Sequence, residues 1–184
     1  MSRFKVLRAN PRRTLAAMAT LLIAVGVTAA SGATFTAQTA NPSNTFTAGT
    51  LSMSNSKNNA AILTASNMKP GDTATGSVDI TNTGSVSGAF TLSKTALTNS
   101  DGSNPMANKL NLVVTDCGTD FDCSTGASSN VYTGTLAAMG TGIALGNFAG
   151  GAEHRYEFSV ALDSSADNNY QGDNSVATFT WDAS

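Results

Sequence analysis

One histidine, one tryptophan and two cysteines are all that the 184 residues contain of those three types. That scarcity excludes much chemistry before any fold is considered. A zincin helix needs two His at i and i+4 around a Glu, and His154 stands alone in Glu153-His154-Arg155-Tyr156-Glu157. On a strand, Glu153, Arg155 and Glu157 share one face and His154 points with Tyr156 to the other, so exposed strand polarity is the expected role of this segment. No Gly-x-Ser-x-Gly elbow is present, and spacing singles out no acidic partner for His154, although serines and aspartates are plentiful enough to leave a Ser-His-Asp triad open. No Gly-x-x-x-x-Gly-Lys phosphate loop occurs. Aromatics are sparse (eight Phe, three Tyr, one Trp), so no sugar-stacking platform for an adhesion or carbohydrate-binding module is evident. No catalytic residue is assigned.

Acidic residues are missing from the start of the chain. The first 33 residues hold five of the ten bases (Arg3, Lys5, Arg8, Arg12, Arg13) and none of the twelve acids. An apolar stretch, Leu15 to Ala30, follows and closes on Ala29-Ala30-Ser31-Gly32-Ala33. A basic start, an apolar middle and a small-residue end describe a secretory signal peptide over residues 1–33. The best-fitting cut lies between Ala33 and Thr34, and a cut after Ala29 also satisfies the small-residue rule. The competing reading is a retained membrane anchor. A span wants about 20 strongly apolar residues, and this run is shorter and dominated by Ala and Thr.

Cleavage changes the electrostatics. Five bases (Lys57, Lys69, Lys94, Lys109, Arg155) then face twelve acids, giving 5 − 12 = −7. Such a surface repels phosphate backbones and anionic lipid, so neither nucleic-acid binding nor stable membrane insertion after cleavage is expected. The remaining 184 − 33 = 151 residues fit one domain. A chain of that size buries roughly two thirds of its unfolded surface, enough for a core without metal.

Outside the cytoplasm, two close cysteines most simply form one disulfide, here Cys117–Cys123. The loop is short, so its stabilisation is expected to be about 2 kcal/mol. A metal pair or redox dithiol is the alternative, but there is no Cys-x-x-Cys and no His nearby.

What the chain does have is Thr, Ser, Asn, Gly and Ala, with apolar residues at every second position in several runs. Tyr156, Phe158, Val160 and Leu162 interleave with Glu157, Ser159, Ala161 and Asp163. Ala177, Phe179 and Trp181 repeat the scheme, as do Val78 with Ile80, Phe90 with Leu92, and Leu110 with Leu112 and Val114. One apolar and one wet face are what a sandwich strand requires. Turn chemistry separates the runs: Pro70-Gly71-Asp72, Asn82-Thr83-Gly84 and Asn99-Ser100-Asp101-Gly102. Gly140 to Gly151 reads as a glycine-rich connection, and Ala60 to Ser66 or Pro105 to Lys109 as short helical turns. Seven or so short strands predict an all-β antiparallel sandwich over residues 50–184, jelly-roll-like, with an immunoglobulin-like sandwich as second choice.

The segment Asp163 to Asp173 (Asp163, Asp167, Asn168, Asn169, Asp173) offers oxygen ligands for calcium but lacks the bidentate Glu of an EF-hand loop. A capped, hydrogen-bonded loop is the simpler expectation, and no cofactor is assigned.

Three segments together resemble a known family. They are Gly32-Ala33-Thr34-Phe35-Thr36-Ala37 leading into Asn44-Thr45-Phe46-Thr47-Ala48-Gly49-Thr50-Leu51, then Lys69-Pro70-Gly71-Asp72 through Gly76-Ser77-Val78-Asp79-Ile80-Thr81-Asn82-Thr83-Gly84. The third is Ala166-Asp167-Asn168-Asn169-Tyr170-Gln171-Gly172, running to Phe179-Thr180-Trp181-Asp182-Ala183. The chain is similar over nearly its whole length to the TasA/camelysin family of Gram-positive bacteria. The resemblance implies a jelly-roll-like sandwich, export through a dedicated SipW-like signal peptidase, and a place on the cell surface or in the biofilm matrix. TasA-type members are fibre subunits, whereas camelysin was described as a surface metallopeptidase.

From these readings the expected function is a secreted structural protein that self-associates into an extracellular or biofilm-matrix fibre. A camelysin-like surface metallopeptidase is the second reading, and an adhesion or carbohydrate-binding module the third. Residues 34–49 are expected to be extended. Phe35, Ala37 and Thr39 alternate, Phe46 and Ala48 follow the same scheme after Pro42, and no charge appears from Thr34 to Ser56 to discourage edge pairing. This segment either completes a neighbour's sheet as a donor strand or folds back as the subunit's own first strand. The chain ends at Trp181-Asp182-Ala183-Ser184, so any attachment to a wall is expected to be non-covalent.

Overall fold

The computed structural model describes residues 45, 47–124 and 128–184. Eight strands follow one another in this part of the chain. They are β1 (Met53–Asn55), β2 (Thr73–Asn82), β3 (Gly88–Asn99), β4 (Leu110–Asp116), β5 (Ser129–Thr135), β6 (Ile143–Phe148), β7 (Glu153–Leu162) and β8 (Ser175–Ala183). Only two 3-10 turns accompany them among the described residues, at Met106–Asn108 and Asn168–Tyr170. All eight strands and the whole core lie in the compact unit of residues 47–184.

The strands form two antiparallel sheets, one ordered β1-β2-β7-β4-β5 and the other β6-β3-β8. In a jelly roll, one long antiparallel ribbon rolls up so that strand 1 pairs with 8, 2 with 7, 3 with 6 and 4 with 5. Three of those pairs are here: β2·β7, β3·β6 and β4·β5. The fourth is not. The short β1 pairs with β2 instead, through Met53↔Asn82 and Asn55↔Ile80. Among the described residues the chain is an all-β sandwich of jelly-roll order without a β1·β8 pair.

Period-two alternation decides which face is buried. On β7, Tyr156, Phe158, Val160 and Leu162 are buried while the residues between them stay half-exposed. Val78 and Ile80 of β2, and Leu110, Leu112 and Val114 of β4, point the same way; Phe90 and Leu92 of β3 close from the other sheet. Phe158 joins the layers, its ring centroid 4.9 Å from Phe179 and 6.1 Å from Trp181. Each large side chain so buried contributes about 2–3 kcal/mol. At one end, Lys94 Nζ donates to the carbonyls of Leu136 and Ala137 at 2.9 and 2.8 Å, binding β3 to the chain after β5. Its partial burial holds the Lys94 pKa below the usual lysine value.

Four expectations need correction. Gly140 to Gly151 is not mere connection, because it contains β6. Gly146, at φ +95°, accompanies a register shift against β3, so Leu145 and Phe148 face inward three positions apart and period two is broken. Period two also misses strand β5: its Val131 and Tyr132 are consecutive half-buried residues on an edge strand, and Val131 is the extra residue of a bulge against Val114 and Thr115 of β4. The third concerns Ala60 to Ser66, which contains no helical turn, whereas Pro105 to Lys109 does. The fourth concerns His154, below.

Candidate functional site

His154 is not exposed strand polarity. Its side chain is 22% exposed and its ring stacks on Phe148 at 4.1 Å, which in turn stacks on Phe90 at 4.3 Å. Nδ1 lies 3.1 Å from both carboxylate oxygens of Asp116, and the Tyr156 hydroxyl donates to Asp116 Oδ2 at 3.3 Å. The register sets Asp116 opposite Tyr156, so His154 reaches it diagonally from two positions away. Burial first, and then the Asp116 charge, raises the Tyr156 pKa above the ordinary phenol value. The cluster orients and satisfies buried polar groups between strands. The outer face carries a cross-strand pair, with Arg155 Nε and Nη2 on Asp79 Oδ1 and Oδ2 at 2.7 and 3.1 Å.

Cys117 and Cys123 form a disulfide across six positions. The loop it closes is clamped against the sheet, since Gly118 N donates to Asp116 Oδ1 and Arg155 lies over the Phe121 ring at 5.0 Å. Within Asp163 to Asp173, each carboxylate accepts from a donor of the protein itself. Asp163 accepts from Ser165 N and Asn111 Nδ2, Asp167 caps the 3-10 turn through Asn169 N, and Asp173 accepts from Ser100 Oγ. Ala33, Thr34, Phe35, Ala37, Thr39 and Phe46, with residues 1–33 expected to form a signal peptide, lie outside the described residues. Ala48 is exposed and in no strand. No helix among the described residues is long and apolar enough to cross a membrane.

The four sheet edges differ in length. Three, seven and six residues make up β1, β5 and β6, but β8 has nine. It pairs with β3 on one side, and no strand among the described residues covers the other. Its sequence, Ser-Val-Ala-Thr-Phe-Thr-Trp-Asp-Ala, has high β propensity and a single charge at Asp182, and Val176 is 63% exposed. Proteins ordinarily blunt such an edge with charge, proline or a cover. The open side of β8 is where strand 1 of a jelly roll would lie.

A sequence model of the camelysin metallo-endopeptidase family matches residues 12–115, which is 104 of the 184 residues. The chain belongs to the camelysin family. No curated protein matches it. Among solved structures, the sporulation control protein Spo0M of Bacillus subtilis is similar at 11% identity, with a TM-score of 0.27 over 75% of this chain and 49% of that one. The chain thus spans about half the length of Spo0M, and a likeness that loose carries no argument. The camelysin name implies a bound metal, and every His, Cys, Asp and Glu of the chain lies among the described residues, since residues 1–44, 46 and 125–127 contain none. No group of three such side chains able to hold a metal occurs among the described residues. A catalytic zinc takes three protein ligands. His154 and Asp116 supply two, already engaged with each other, and both cysteines are bonded. The residues do not fit the metal.

Proposed function

We propose that this camelysin-family protein is a secreted structural subunit that polymerises outside the cell by strand donation. Residues 34–41 of one copy would add to the open edge of β8 in the next and restore the missing jelly-roll pair. The open β8 edge carries this reading. Residues 34–41 form an uncharged, alternating stretch that ends at Pro42, where a ladder must stop, and eight residues match a nine-residue acceptor. A disulfide suits an oxidising, extracellular setting.

Chain reach favours donation over folding back. Leu51 packs on Gly88 beside the Ser184 carbonyl, at the end of the molecule where β8 finishes. A strand antiparallel to β8 starts at that end and finishes at the other, about 30 Å away. A subunit using its own segment would have to return that distance with residues 42–50 alone, at full extension. A neighbour's segment has no such constraint. The contact is head-to-tail and does not close, so it propagates as a filament. Signal-peptide removal would act as the switch, because an anchored N-terminus cannot be donated.

Deleting Thr34 to Asn41 tests this. Filaments should vanish while circular dichroism still reports the folded sandwich. Unchanged polymerisation by that variant would overturn the proposal.

A further inference from the structure

In an antiparallel sheet a residue turns its N–H and its C=O to the same side, and its chain neighbours turn theirs to the other. That rule fixes what β8 offers along its open side. Ala89 N donates to the Ser184 carbonyl and Ser184 N to the Ala89 carbonyl, at 2.9 and 3.0 Å. At the far end, Ser100 N donates to the Asn174 carbonyl at 3.0 Å. The register shift between β3 and β8 skips Thr95 of β3 and no residue of β8, so the parity of β8 holds throughout. Its even-numbered residues bond to β3. Ser175, Ala177, Phe179, Trp181 and Ala183 therefore turn their main-chain groups to the edge, where no strand among the described residues meets them. Ala177, Phe179, Trp181 and Ala183 also pack their side chains on the core, whereas Val176 is 63% exposed.

We infer that this row of main-chain groups takes the donor of a second copy antiparallel, and that the backbone of Phe35, Ala37, Thr39 and Asn41 makes the contact. The inference rests on the donation reading above. Directly opposite residues in a sheet carry their side chains on one face. Phe35 is the one large apolar residue of the stretch 34–41, so the alternation that includes it faces the core. In an antiparallel pair, residues opposite the edge-bonding positions of β8 bond in turn, so the inward-facing alternation is also the one that bonds. A parallel donor would separate the two: Thr34, Thr36, Gln38 and Ala40 would bond while Phe35 and Ala37 faced inward. All six strand pairs among the described residues are antiparallel, the slightly more stable arrangement per residue. Affinity then comes from the main chain, and no donor side chain has to reach a buried group.

The test uses a chain starting at Pro42, which keeps the whole 47–184 unit, and synthetic peptides of residues Thr34–Asn41. A backbone N-methyl group removes one main-chain donor and leaves every side chain in place. Calorimetry should show saturable binding of the unmodified peptide. Methylation at Ala37 or Thr39 should weaken binding by about 10-fold or more, and methylation at Thr36 or Gln38 should leave it unchanged. The reverse pattern would mean a parallel donor, and equal binding of all four methylated peptides would mean that the edge ladder is not the contact. Either result overturns the assignment while leaving strand donation standing. Failure of the unmodified peptide to bind would sink donation itself, and this inference with it. Amide hydrogen exchange reads the acceptor independently. In the protein alone the Thr178 and Thr180 amides should be protected and those of Ala177 and Phe179 should not, and the peptide should protect the second pair. Protection of Ala177 and Phe179 without peptide would overturn the assignment as well.

Discussion

Asn82 donates its side-chain amide to the carbonyls of Val86 and Phe148 at 2.8 and 3.0 Å, joining the β2–β3 corner to the end of β6. Its Oδ1 accepts from Gly84 N at 2.9 Å, and the residue is fully buried. A Cβ at Gly84 would run into the carbonyl of Thr50, so the corner also fixes where the chain enters β1. Asn82→Ala leaves those groups without a partner and should lower stability by roughly 2–4 kcal/mol. Urea denaturation measures it, and a loss below about 1 kcal/mol would show that the corner does not depend on Asn82.

Two titrations bound the range of stability. The folded state holds the Tyr156 proton above the ordinary value of 10, through burial and the adjacent Asp116. A group whose folded pKa is raised contributes stability below the unfolded value and loses it as pH rises. Stability should therefore fall above pH 10, and Tyr156→Phe should flatten that fall. Asp163 is depressed from 3.8 to about 2, chiefly by its bonds from Ser165 and then Asn111. Its contribution is present above 3.8 and lost as pH falls toward 2, and Asp163→Asn should remove that acid-side dependence. Thermal melts across both ranges check each sign.

Removing the disulfide by Cys117→Ala with Cys123→Ala should cost about 2 kcal/mol and leave the sandwich folded. The loop is short, and both sheets are built without it. Loss of folding on reduction would mean that the loop clamped by Arg155 and Phe121 nucleates β4.

The fold is legible wherever side chains alternate strictly: β7, β4, β2 and β8 are readable because each turns every second apolar residue inward, although on β8 only Trp181 is fully buried. Strand β6 hid behind glycines and a bulge that shifts its parity. The His154–Asp116 contact was invisible for a different reason. Thirty-eight positions separate the two, and only the β4·β7 register brings them together. No spacing within one segment signals a diagonal pair across two strands. The open edge was equally hidden, because an uncovered strand reads like a covered one until strand order is known.

The purified, processed protein should retain no stoichiometric zinc and show no chelator-sensitive cleavage of casein. Elemental analysis beside a casein assay decides this. Stoichiometric zinc with cleavage abolished by chelator would contradict the donor-set reading and favour a peptidase.

Electron microscopy of the purified chain beginning at Thr34 tests the structural role most directly. Filaments of the unaltered protein, absent when residues 34–41 are removed, are the predicted result. Dispersed single particles from both chains, at concentrations where edge pairing is favoured, would contradict it.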